Sequence, residues 1–353
     1  MGRRVLITGL DTFWGGRMAQ ALEAEADIEM ILGLGANEPR VPLERTEFVR
    51  SDQKYSILSR IVRATQVDTI VHTFLTVDST RVSGTQMHET NVIGTMNLLA
   101  AAGAADSSVR HIIVKSSSLV YGANQGDPAC FREHMVRTAP PRSRVERSLL
   151  EVEGYLRDFA DDNPHVVVTL LRFTNVLGTD IVTPISAALE RGWAPAIFGF
   201  DPLVQFVEED DVIRCLKFVF DRQLPGVYNV AGDGHLPWSE VASICEARLI
   251  PFLPPVATGL AADLLGLLRL TDLPSEVLDL LRYGRGVDNT RLKQAGFRYQ
   301  FTSAGAVESY ARARRLRRTI GEAHPTYRYE RDVEQFFRRS PAVVRDHTPR
   351  GRA

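Results

Sequence analysis

A chain of 353 residues, 44% apolar and 24% charged, can close one large or two moderate hydrophobic cores, which excludes a disordered or fibrous polymer. With 42 basic and 43 acidic side chains there is no net positive charge to draw nucleic acid, and none is expected as a partner. Cys130, Cys215 and Cys245 lie far apart without C-x-x-C or Cys/His spacing. Neither a disulfide framework nor a metal site is predicted, which suits a cytoplasmic setting. No leader is expected ahead of the first strand, and no apolar run is long and uncharged enough to cross a bilayer.

Arg4-Val5-Leu6-Ile7 reads as a short buried strand. Gly9 and the Gly15-Gly16 pair follow, and 17–25 reads as a helix with Met18, Leu22 and Ala26 on one face. Strand, glycine turn and helix form the opening unit of a dinucleotide-binding domain, whose helix N-terminus offers unpaired N–H groups to a pyrophosphate. A bare strand–helix turn is the plainer alternative. The spacing G-x-x-G-x-x-G falls on Gly9, Thr12 and Gly15, so a side chain stands where the backbone should approach the phosphates. Thr12 is therefore expected to crowd the site.

Further strands are predicted over 28–33, 47–50, 68–72, 111–115 and 166–171, and helices over 56–65, 90–102 and 149–160. This alternation predicts an α/β fold with a doubly wound parallel sheet. Past Gly178 the rhythm loosens, and 205–230 reads as a strand–helix–strand segment returning to the sheet. The predicted organisation is a dinucleotide-binding domain over 1–177 with 203–230 returning to it. A smaller C-terminal α/β substrate domain follows over 178–202 and 231–310, then a basic tail over 311–353.

Several stretches, taken in order, resemble one family, the extended short-chain dehydrogenase/reductases of the NAD-dependent epimerase/dehydratase type, such as UDP-sugar 4-epimerases. They are TGLDTFWGG at 8–16, Ser51-Asp52, IVHTF at 70–74, NVIGTMNLLAAA at 91–102 and SSSLVYG at 116–122. LLRFTNVLG at 170–178, APAIFG at 194–199, QFVEEDDV at 205–212 and GVYNVAG at 226–232 complete the set, which covers roughly residues 4 to 310. The resemblance implies a Rossmann fold, NAD or NADP as cofactor, a small nucleotide or nucleotide-sugar as ligand, and a homodimer. It places Gly9, Thr12, Phe13, Trp14, Gly15, Asp52, Gln53, Thr73, Phe74, Leu75, Asn91 and Ser116 along the cofactor. Ser117 falls where the family polarises the substrate oxygen, and Asn175 and Arg285 fall on the substrate side. A helix N-cap is the simpler role for Asp52, a turn for Asn175, and a strand-end surface position for Lys115.

Three departures from the family pattern shape the functional expectation. The second strand finishes Gly33-Leu34-Gly35, without the acid that holds a ribose 2′-hydroxyl. Arg40 nearby would suit a 2′-phosphate instead, and dinucleotide affinity is expected to be reduced. The Arg that grips a sugar-nucleotide phosphate is missing from the Leu203-Val204-Gln205-Phe206 stretch, leaving Arg285 or Arg291 for that task.

The third departure concerns the proton. Counting back from Leu170-Leu171-Arg172 puts Val145 at the Tyr and Leu149 at the Lys of the family's Y-x-x-x-K, with Glu153 at its usual helix Glu. A two-residue slip offers Ser143 and Arg147. None of the four lysines (Lys54, Lys115, Lys217, Lys293) has a Tyr four residues before it. Neither Val nor Leu moves a proton, so degenerate hydride and proton transfer is expected. The chain then serves as an NAD(P)- or nucleotide-binding module, and Ser117 only satisfies a strand end. The alternatives are an active epimerase or dehydratase with an atypical catalytic set, and a membrane-peripheral scaffold keeping only the fold.

The remaining features read more simply. Trp193 and Phe198 are expected in the core, and the acids Glu208 to Asp211 at a helix start. His72, His111 and His165 suggest no catalytic dyad. Residues 249–270 are apolar but broken by Pro251, Pro254, Pro255 and Gly259, and 311–353 carries 12 Arg against five acids. These two stretches are the candidates for contact with a membrane surface.

Overall fold

The computed structural model describes residues 2–51, 54–77, 83–252 and 274–320. Residues 1–311 form one compact unit and 312–353 a second. The chain opens with β1 (Arg3–Thr8), α1 (Phe13–Glu23), β2 (Ile28–Gly35), β3 (Thr46–Arg50), α2 (Tyr55–Thr65) and β4 (Thr69–His72). After β4 come α3 (Gly84–His88), a π-helical turn (Glu89–Ile93), α4 (Gly94–Ala102) and β5 (His111–Ser117). Then follow α5 (Arg144–Asp162), β6 (Val167–Phe173), β7 (Asn175–Leu177), α6 (Pro184–Glu190) and β8 (Trp193–Ile197). The short β9 (Leu203–Val204) and β10 (Phe206–Glu208) lead into α7 (Glu209–Arg222) and β11 (Gly226–Val230).

Seven parallel strands pair in the order β11-β6-β5-β4-β1-β2-β3. The strands alternate sides as their period of two dictates. Leu6, Ile70, Ile112, Val114 and Leu170 pack under α2, α4 and α5, whereas Val5, Ile7, Val71, Ile113 and Leu171 pack under α1 and α7. The chain runs outward from β1 to β3, then crosses back to β4, so the order reverses between β1 and β4. In a sheet of this kind ligands lie outside the carboxyl ends of the strands at that reversal.

The expected return of 205–230 to the sheet is split by the structure. β11 joins the main sheet beside β6, but β10 pairs with β7 in a separate two-stranded ribbon. The smaller C-terminal region has its own core of Leu177, Ile185, Leu189, Trp238, Val241, Leu280 and Val307. There the strand Arg248–Phe252 pairs with β8.

Two helices start earlier than their apolar pattern predicts, because polar caps set the boundaries. Ser143 Oγ accepts the Glu146 N–H at 3.1 Å, and α5 begins at Arg144. Ser83 Oγ does the same for Gln86 ahead of α3, well before position 90. The acids at 208–211 do open a helix, with Glu208 as N-cap of α7. Phe198 is a correction: it is 67% exposed and contributes nothing to the core. Of the apolar stretch at 249–270 only 249–252 lies within the described residues, and of the tail only 311–320. No helix among the described residues is long and apolar enough to cross a membrane.

Candidate functional site

The glycine turn lies at the carboxyl end of β1, at the sheet's reversal point. Gly9 adopts φ +76°, and a methyl group on it would lie 2.7 Å from Phe74 Cβ. On Gly15 a methyl would fall 2.2 Å from the Gly9 carbonyl. Both positions therefore require glycine for packing alone. Thr73 Oγ1 donates to the Thr8 carbonyl at 2.8 Å, and Phe74 meets the buried His72 ring edge-on, so 73–75 form the wall behind the turn.

Thr12 folds into the turn. Its hydroxyl donates to the Gly9 carbonyl at 2.7 Å and accepts the Gly15 N–H at 3.1 Å, making it the N-cap of α1. The Phe13 and Trp14 N–H groups have no acceptor among the described residues, and the first turn of α1 carries no acid. This cradle fits a pyrophosphate, with one donor fewer than an uncapped helix would offer. Asp11, between Gly9 and Thr12, sends its carboxylate over Gly35 at the end of β2. Its Oδ2 accepts from Asn37 N at 3.1 Å and Asn37 Nδ2 at 3.3 Å. Asp52 and Gln53 lie outside the described residues.

Toward β5 the polar groups separate into two sets. Ser117 lies at the strand end, its Oγ accepting the Leu119 N–H at 3.2 Å. Ser116 is fully buried and points to the other face of the sheet, donating to Glu153 Oε1 at 2.8 Å. Arg172 closes on Glu153 through Nε (3.1 Å to both oxygens) and gives Nη1 to the Tyr121 hydroxyl at 2.7 Å. Tyr121 in turn donates its hydroxyl hydrogen bond to Asn229 Oδ1 at 2.8 Å. The charges in this network cancel, and it ties α5 to the ends of β5, β6 and β11. Asn91 works similarly, since its side chain both accepts from Thr76 N and donates to Thr76 O at 2.8 Å, clamping the loop after β4 onto the π-helical turn. Rather than starting the helix, it lies inside it.

Val145 and Leu149, about two turns and one turn before Glu153 on α5, are both fully buried in the core beneath the sheet. Ser143 is occupied as the cap. Lys115 departs from expectation, being only 3% exposed. Its Nζ lies 5.0 Å from the Trp14 ring and 5.8 Å from that of Phe173, and burial pulls its pKa down to about 8. It makes no hydrogen bond or ion pair among the described residues. The sequence signal was available, because Lys115 shares the strand face of Ile113, which is core.

On the substrate side, Asn175 Nδ2 donates to the Gln205 carbonyl at 3.0 Å. Arg285 and Arg291 are separated by the structure. Arg291 covers Tyr228 near the amino end of β11, at 4.8 Å from the ring. Arg285 lies beyond the carboxyl end of β5, its Nη1 giving a hydrogen bond to Gly122 O at 3.3 Å while its buried Nε has no partner among the described residues. Burial lowers its pKa to about 10, with Glu146 and Asp127 pulling the other way. A pairing hidden in the sequence brings Cys130 Sγ to 3.6 Å from His235 Nε2. Burial raises the thiol pKa and lowers that of the imidazole, so both stay neutral rather than forming a nucleophile. No cluster suited to a metal ion occurs among the described residues.

Sheet order, glycine turn and reversal point together define a Rossmann-type dinucleotide-binding fold. The family model for the NAD dependent epimerase/dehydratase family matches residues 5–231, and the chain belongs to that family. An uncharacterized protein of Mycobacterium tuberculosis is 32% identical over 319 residues, covering 88% of this chain and 84% of its own. A UDP-glucose 4-epimerase of Erwinia amylovora is 28% identical over 185 residues, 49% of this chain and 53% of that one. Among solved structures, the UDP-glucose 4-epimerase of Thermotoga maritima with UDP-glucose superposes with TM-score 0.68 at 17% identity, covering 90% of this chain and 99% of that one. The dTDP-glucose 4,6-dehydratase of Bacillus anthracis with NAD gives 0.66 at 15% identity, covering 91% and 98%.

Proposed function

We propose that this protein binds a dinucleotide, with a nucleotide-sugar-like ligand beside it, and does not run the family's usual hydride and proton transfer. The observation that carries this reading is the pair Val145 and Leu149. Both are fully buried hydrocarbon, and the count back from Leu170-Leu171-Arg172 sets them at the family's phenol and ammonium. A bound nicotinamide supplies hydride chemistry only where a positioned acid or base takes up the substrate proton. This chain's residues bind and orient. The α1 N-terminus holds the phosphates, the wall at 73–75 closes one side, and Arg285 offers a buried cation beyond β5. Relatives whose names specify UDP-glucose or NAD support the ligand class.

Lys115 favours a second reading, an active enzyme with an atypical acid–base group. A buried amine of pKa about 8 two residues before Ser117 is the kind of group general acid–base chemistry uses. One experiment separates the two. The purified protein is titrated calorimetrically with NADH and assayed for UDP-glucose and UDP-galactose turnover. Binding without turnover is expected. Turnover in the wild type that is lost in K115M would replace the first reading with the second, and absence of dinucleotide binding would remove both.

A further inference from the structure

We propose that Asp11 reads the adenosine ribose and that through it the chain selects NAD(H) over NADP(H). This rests on the reading above that a dinucleotide lies on the glycine turn. In a strand–helix–strand unit of this kind the adenosine ribose lies at the carboxyl end of the second strand, where an acid accepts from its 2′-hydroxyl. Here that strand ends on Gly35 and carries no acid of its own. Gly35 is buried in the sheet, in register with Arg50, and its carbonyl accepts the Ser51 N–H at 3.1 Å.

The space above Gly35 is filled from the neighbouring turn. A methyl group on Gly35 would lie 2.8 Å from Asp11 Oδ1 and 3.0 Å from its Cγ. The missing side chain at 35 and the carboxylate at 11 are thus one arrangement, because a larger residue at 35 would evict Asp11. Asn37 fixes the carboxylate through Oδ2, by its backbone N–H and its amide. Oδ1 accepts no hydrogen bond, and no cation pairs with Asp11 among the described residues. A half-exposed carboxylate with one oxygen clamped and the other free is built to accept from a hydroxyl. A 2′-phosphate at the same point would set two negative groups in contact. Arg40, the residue that suggested NADP, is exposed and makes no ion pair among the described residues. The sequence hides this substitution because the acid has moved to a different segment of chain.

The test is calorimetric titration of the full-length protein with NADH and NADPH, with thermal unfolding followed for each variant. The wild type should bind NADH about tenfold to hundredfold more tightly than NADPH, the range of one charge-assisted hydrogen bond. D11N keeps an oxygen for Asn37 and should bring the two affinities within a few-fold. D11G/G35D returns the acid to the second strand and should recover the preference. An unchanged NADH-to-NADPH ratio in folded D11N, or a wild type that favours NADPH, would overturn the assignment while leaving dinucleotide binding intact. A wild type that binds neither would take the proposed function down with it.

Discussion

Thr12 puts a hydroxyl at the middle position of the glycine turn. Its position in the glycine spacing suggests a steric intruder at the phosphate site. Its hydroxyl instead turns back to the Gly9 carbonyl and the Gly15 N–H. The penalty is a lost donor, since the Gly15 N–H is no longer offered to a ligand. T12A should cost about 1 kcal/mol of stability, the usual cost of removing a cap, and T12G only a few tenths. T12G also frees the donor, so its NADH affinity should rise several-fold. Calorimetry and thermal unfolding on the same preparations check both, and a T12G that binds more weakly than wild type would contradict the account.

At the scale of elements, α5 carries the functional argument, and the family resemblance sets its register from one anchor. Counting back from Leu170-Leu171-Arg172 puts Glu153 at the family's helix Glu, and in the structure Glu153 closes on Arg172 and Ser116. Val145 and Leu149 then follow from helical spacing. The start of α5 was not legible in the same way, because the cap Ser143 is one of several serines and only its bond to Glu146 N–H selects it. Arg285 and Arg291 were equivalent in sequence, and only the fold sends one past the carboxyl end of the strands and the other to the amino end. V145Y/L149K, the literal restoration of Y-x-x-x-K, should fail. Leu149 is fully buried, and an ammonium there without a carboxylate partner costs several kcal/mol. The double variant should unfold at markedly lower urea concentration than wild type and show no UDP-sugar turnover. Removing the acid in the middle of the helix should also be severe, since E153L leaves the Arg172 guanidinium buried without its counter-charge. A loss of about 3–5 kcal/mol in urea unfolding is the expected outcome.

For the molecule as a whole, the central sheet buries three bases, and desolvation lowers the pKa of each. His72 lies between the Thr8 and Thr95 hydroxyls and is held down to about 3 by burial. His111 is lowered to about 4 by burial and by the charge of Arg3, and Lys115 to about 8 by burial. In each case the unfolded chain binds protons more readily than the folded one, so stability rises with pH across the interval between the two pKa values. For the histidines that interval runs from about 3 to 6.5, and stability is lost as the solution is acidified through it. For Lys115 it runs from about 8 to 10.5: the cost of burying the charge is full below about 8 and fades above it. That cost is about 3 kcal/mol. K115M should therefore raise the urea midpoint at pH 7 and flatten the rise that the wild type shows between pH 8 and 10, while leaving the acid limb unchanged. Urea titrations at pH 5, 7 and 9.5 on both proteins measure all three effects. A K115M that is less stable than wild type at pH 7 would mean that the ammonium has an acceptor inside the folded protein, and would make Lys115 a structural cation rather than a group held ready for a ligand.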